Sequence, residues 1–156
     1  MQHAPLAPDH LLHYPNLRPG NYEVTSTDDP DYNCAAWAVG DTEAKWWPLP
    51  GFSEYYWPTP RRDDSVEAFI EGFGTLGYEI CENLDFEPAY EKLAIFATAS
   101  GEPQHVARQL DDGSWTSKLG AWEDIRHLEV SSVECNWYGH IARIMRKQRV
   151  ERTPEH

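Results

Sequence analysis

Residues 45–60 read KWWPLPGFSEYYWPTP, with four prolines and six aromatic rings in sixteen positions. Proline removes a backbone donor and fixes φ, so this density stops a helix and a central strand alike. The segment is expected to be a long loop packed by its own rings. It divides a short apolar run before it from a longer patterned region after it. With few aliphatics and 20 aromatics, the core must be built largely from rings.

The run before the loop is DYNCAAWAVG, residues 31–40. Asn33 is a good N-cap and Gly40 a good C′ residue, so a helix of two turns opening at Cys34 is expected. After the loop, Asp64 with Glu67 three residues on has the spacing of a capping box. Val66, Phe69, Ile70 and Phe73 then follow a helical stripe that Gly77 would end. The second half reads as strands over 78–81, 92–97, 105–110, 114–119 and 138–146. Asp111-Asp112-Gly113 is the clearest hairpin turn. Residues 122–128 read as one or two helical turns. The expected class is α+β, with N-terminal helices packed on an antiparallel sheet. Residues 1–30 read as an irregular arm whose Leu11, Leu12, Tyr14 and Leu17 lie across the domain, 31–146 as one domain, and 147–156 as a fraying polar tail.

Thirteen basic and 26 acidic residues give a net charge of −13, which argues against a nucleic-acid binder. No apolar run approaches ~18 residues, so no membrane span is expected. The start, MQHAPLAPDH, lacks the pattern of a signal peptide. A cytoplasmic setting with reduced cysteines is the expectation. Residues 63–102 hold ten acids and one base, whereas 143–152 hold five bases and one acid. Such a belt is more often a solvated face than a docking surface for a basic protein. No CxxC, HxxxH or HExxH spacing occurs, and neither metal nor cofactor is expected.

Cys34 stands where a helix N-terminus would favour its thiolate. His105 opens a strand, a rigid mount for a base. A thiol nucleophile needs such a base, and the base needs an orienting partner. Taken singly, Cys34 reads as a small core residue and His105 as a hairpin histidine bonded to backbone.

NCAAWA at 33–38 resembles the nucleophile segment of papain-like thiol hydrolases and of their cell-wall amidase relatives. HVARQLDDGSWTSKL at 105–119 is similar to their histidine hairpin, and to the transglutaminase-like histidine strand. The order, cysteine then histidine, agrees with both. The chain as a whole resembles an uncharacterised bacterial domain family through YNCAAWAVGD, WWP, YWP, LGYEIC, EKLAIF, HVARQLDDGSWTSKLG and DIRH. That likeness covers roughly 31–146 and implies no activity. The thiol-hydrolase resemblance implies a papain-like or transglutaminase-like core acting on an amide or isopeptide bond of a protein or peptide. Cys34 would be the nucleophile and His105 the base. Ser117 or Asp124 would orient the imidazole. Asn33 is a candidate oxyanion donor, and Trp37, Trp46, Trp47 and Trp57 would wall the cleft. The competing expectation is a non-enzymatic immunity or inhibitor protein that presents the acidic belt to a basic target.

Overall fold

The computed structural model describes residues 4–50, 55–120 and 122–149. Among them seven strands form one sheet: β1 (Tyr22–Val24), β2 (Glu79–Cys81), β3 (Tyr90–Ala97), β4 (Pro103–Gln109), β5 (Trp115–Lys118), β6 (Asp124–His127) and β7 (His140–Gln148). The spatial order is β1-β6-β5-β4-β3-β7-β2, and each neighbouring pair is antiparallel. Among the described residues three α-helices accompany it, α1 (Pro8–Leu11), α2 (Cys34–Ala38) and α3 (Val66–Gly74), with a 3-10 turn at Val130–Val133. The class is therefore mixed α+β.

Both faces of the sheet are covered, which is why β3 reads as the unbroken apolar run LAIFA. Alternation along the strands assigns the faces. Leu93, Ile95, Val106 and Met145 pack under α2, α3 and the Trp-rich loop. Ala94, Phe96, Ala107, Trp115 and Ile125 face the other way, under Leu6, Tyr14 and Leu17 of the N-terminal arm.

The Asp111-Asp112-Gly113 turn joins β4 to β5 as expected. Leu110 N–H donates to the Ser114 carbonyl at 2.7 Å, and Gly113 takes φ +89°. Four expectations need correction. The arm is not wholly irregular, because Tyr22–Val24 pairs with β6 at the sheet edge. Residues 124–127 form a strand and not a helical turn. In DIRH, Ile125 faces the core and Asp124 and Arg126 face away, a period of two. The cap of α3 is Ser65, whose hydroxyl accepts from Ala68 N–H at 3.1 Å, so Glu67 falls one position short of the capping-box register. Finally, β7 runs on through Gln148, and Arg149 N–H bonds the Ala89 carbonyl at 2.7 Å, so the chain is still tied down there. The rest of the expected tail, 150–156, lies outside the described residues.

The sheet also explains the uneven charge. Register sets β7 beside β2 and β3. Arg146 thus meets Glu79 at 3.4 Å and Glu87 at 3.1 Å, and Lys147 meets Glu91 at 3.7 Å. Lys92 is fully buried. Its ammonium bonds Glu87 at 2.8 Å, the Asn83 side chain at 2.7 Å and the Asp85 carbonyl at 2.6 Å. The 82–88 loop is wrapped around this one charge.

Candidate functional site

Asn33 caps α2 as its sequence position suggests. Its side-chain oxygen accepts from Ala36 N–H at 3.1 Å and from Trp46 N–H at 3.0 Å, and its amide donates to the Trp46 carbonyl at 2.8 Å. One side chain therefore starts the helix and pins the aromatic loop to it. Trp46 is buried and donates to Asp41 at 2.8 Å. Trp47 stands edge-on to Phe69. Trp57 is buried between Phe69, Phe73 and Gly72. Trp37 reaches β5 and donates to the Thr116 hydroxyl at 2.9 Å. These rings join α2, α3 and the loop to one face of the sheet.

Cys34 opens α2 and is only 7% exposed. Its thiol pKa is pushed up to about 11 by burial, which backbone hydrogen bonds from Val106, Ala35 and Cys34 offset only in part. A lowered value was expected at a helix N-terminus. Desolvation wins because α2 has only five residues and the sulfur is out of water.

His105 is on β4, fully buried. Alternation places it with Ala107, on the face covered by the arm. Val106 and Arg108 look toward α2, and the Arg108 guanidinium lies 5.5 Å from the Trp37 ring. The Cys34 thiol bonds the backbone of Val106, the residue after His105, and lies near Tyr14 and Tyr138 on the His105 face, so Cys34 and His105 meet at neighbouring positions of β4. No hydrogen bond joins them.

What His105 does contact is a buried polar chain. Its Nε2 lies 3.0 Å from the Ser117 hydroxyl, that hydroxyl lies 2.8 Å from His127 Nε2, and His127 Nδ1 lies 2.7 Å from the Glu129 carbonyl. The chain fixes every proton. A carbonyl can only accept, so His127 carries its proton on Nδ1. Burial lowers the His127 pKa to about 4, so the ring is neutral near pH 7 and its Nε2 is an acceptor. Ser117 must donate to it, which leaves the serine oxygen to accept from His105 Nε2–H. Burial also holds the His105 pKa well below its ordinary value, so this ring too is neutral. Its Nδ1 is then a bare lone pair, buried and without a hydrogen-bond partner among the described residues.

Tyr138 stacks on the His105 ring with centroids 4.0 Å apart and planes 4° from parallel. The Tyr138 hydroxyl meets that of Tyr14 at 2.9 Å. Of the two expected orienters, Ser117 is in contact with the imidazole. Asp124 points to the opposite face, where its Oδ2 accepts from Tyr32 at 2.5 Å and Ser26 at 2.8 Å, and Lys118 lies over the Tyr32 ring. Register explains the split: Ser117 pairs with Ile125, and Asp124 with Lys118. His127 and Tyr138 went unassigned in the sequence. Alternation along β6 sets His127 on the face of Ile125, but four residues are too few to show that period in the sequence.

No helix among the described residues is long and apolar enough to cross a membrane. No curated protein and no solved structure gives a significant match to the chain. Residues 23–146, from β1 into β7, match the profile of a domain of unknown function (DUF7689), and the chain belongs to that family.

Proposed function

We propose that the protein is a thiol-dependent acyl-transfer enzyme, with Cys34 as nucleophile and His105 as general base. The substrate would be an amide or isopeptide of a protein or peptide, its acyl group passing to water or to a second amine. The observation that carries this reading is the unpartnered Nδ1 of His105. A buried acceptor without a partner costs about 1–3 kcal/mol, and such groups are retained where they have a task. Here three groups, Ser117, His127 and the Glu129 carbonyl, hold the ring in the one tautomer that keeps this nitrogen free of a proton. Papain-like or transglutaminase-like ancestry of the core belongs with this proposal and rests on the order of cysteine and histidine.

In the proposed reaction His105 Nδ1 takes the thiol proton as Cys34 sulfur bonds to the carbonyl carbon. The tetrahedral intermediate collapses with cleavage of the C–N bond, and the imidazolium returns the proton to the leaving amine. A neutral thiol and a neutral imidazole suit this general-base route, since burial disfavours a standing thiolate–imidazolium pair. In the proposed reaction the thiol leaves the Val106 amide and turns to Nδ1. The competing role, an acidic surface for a basic partner, has less support because Glu79, Glu87 and Glu91 are already paired within the sheet.

The test is acylation by p-nitrophenyl acetate, read by intact mass and peptide mapping. One acetyl group is expected on Cys34. Cys34→Ala should abolish it, and His105→Ala should slow it by about 10²-fold or more. Acetylation of Cys34 at an unchanged rate in His105→Ala would refute the pairing.

A further inference from the structure

The face of the sheet that carries His105 is closed by residues 4–20. Leu6, Tyr14 and Leu17 are buried there, yet α1 between them has no buried residue. Tyr14 goes deepest, 1% exposed, with its hydroxyl on Tyr138, whose ring lies flat on His105. Two outer clasps hold the segment. His10 stacks on Trp122 at 3.6 Å, and His13 on Trp137 at 3.8 Å. Just beyond comes an exposed turn at Arg18–Gly20, and the family match begins only at residue 23. The segment that roofs His105 therefore lies outside the family's common domain.

We propose that the surface beneath residues 4–18 is a peptide-binding groove, with the arm as its tethered occupant and Tyr14 filling a subsite for an aromatic side chain. The ligand class is an extended peptide with an aromatic residue flanked by apolar ones, as in Leu6 to Leu17. Three observations favour a displaceable occupant over a core element. Among the described residues the arm before β1 makes one isolated bridge, Pro19 with Tyr22, and no ladder. Its contacts come in discrete points: three buried side chains, two stacks, and bonds such as Leu6 N–H to Tyr22 Oη at 3.2 Å. It also anchors on Tyr138, a residue that touches the proposed base. While bound, the arm keeps the imidazole out of reach of any substrate, so its release would be the activating step. This rests on the proposed role of His105.

The experiment uses the full chain with a specific protease site inserted between Pro19 and Gly20, cut after folding. A fluorescein-labelled peptide of residues 4–18 is the probe. Release of the arm on dilution is expected, with the circular dichroism of the sheet retained. The labelled peptide should rebind, and its Tyr14→Ala version should bind about tenfold or more weakly, as loss of a buried aromatic anchor implies. Carbethoxylation of His105 by diethyl pyrocarbonate should rise about tenfold on release and fall again on rebinding, because modification follows the open fraction. In the uncut chain, His10→Ala with His13→Ala removes only outer contacts, the two stacks and the His10–Glu123 pair at 3.5 Å, and should raise the same modification rate severalfold. Loss of the fold on cutting would overturn the proposal, since the arm would then be core. So would a released arm that does not rebind, or His105 modification that ignores release. Rebinding without Cys34 acetylation would leave the groove standing and refute the enzyme reading. Cys34 acetylation at one rate in cut and uncut chains would do the reverse.

Discussion

Replacing Ser117 with Ala should be far more costly than removal of one oxygen suggests. The hydroxyl is fully buried and serves two rings, at 3.0 Å to His105 and 2.8 Å to His127. Without it, His105 Nε2–H becomes a buried donor with no acceptor, and His127 Nε2 an acceptor with no donor. Each orphan costs about 1–3 kcal/mol, so the expected loss is roughly 3 kcal/mol. For a chain of this size that corresponds to a fall in Tm of roughly 6–12 °C. Urea unfolding followed by tryptophan fluorescence would measure it, with an unchanged slope confirming the same transition. A second substitution gives the reasoning an internal control. In Ser117→Ala with His105→Phe the stranded donor is gone, so the two losses should fall short of additive by about 1 kcal/mol or more. A loss under about 0.5 kcal/mol for Ser117→Ala, in the range of a surface change, would refute the buried chain. Strict additivity would refute the coupling.

Stability should also follow pH through the two rings. Both folded pKa values lie below the ordinary 6.5, that of His127 at about 4, so the unfolded chain binds more protons between those values. Their contribution is complete above about pH 6.5 and lost as pH falls toward 4, roughly 3 kcal/mol for His127 alone. Tm measured from pH 7.5 to 4.5 should fall less steeply in His105→Phe with His127→Phe than in the wild type; equal slopes would contradict the assignment. Gly72→Ala should cost about 1–3 kcal/mol, because the new Cβ would stand 2.3 Å from Trp57 Cζ2. Trp57→Leu in the same chain should relieve part of that loss, as a thermal melt would show. Asn33→Ala removes a cap and both bonds to Trp46, and chemical unfolding should register about 2–3 kcal/mol. Asn33→Asp, which retains the acceptor, should lose less.

Local chemistry carried most of the readable information in this chain. The Asp-Gly turn and the Asn33 cap are decided by residues a few positions apart, and both stand where their sequences put them. Strands β1 and β6 were hidden because three or four residues are too few to show a period, and their pairing partners lie far away in sequence. Ser65 displaced Asp64 as cap because neighbouring polar residues compete for one amide, and a spacing rule does not rank them. At the site, strand alternation sets His105 and Ser117 on the same face of the hairpin. It cannot tell which face α2 will cover, and that choice separates Asp124 from His105 and brings Cys34 to β4 through the Val106 amide. The thiol's raised pKa is a consequence of tertiary burial and leaves no trace in the local sequence. The pairing of three belt acids, Glu79, Glu87 and Glu91, was hidden for a similar reason, since their counter-charges on β7 follow some sixty residues later.

The central claim is that His105 keeps an unprotonated Nδ1 because Ser117, His127 and the Glu129 carbonyl dictate its tautomer. Two-dimensional nitrogen–proton spectra of the ¹⁵N-histidine-labelled protein at neutral pH observe this directly. They should show His105 protonated on Nε2 alone and His127 on Nδ1 alone. In Ser117→Ala the His105 signals should move toward the tautomer mixture of a free imidazole. A His105 ring with its proton on Nδ1, or charged at neutral pH, would leave no base for Cys34 and contradict the account.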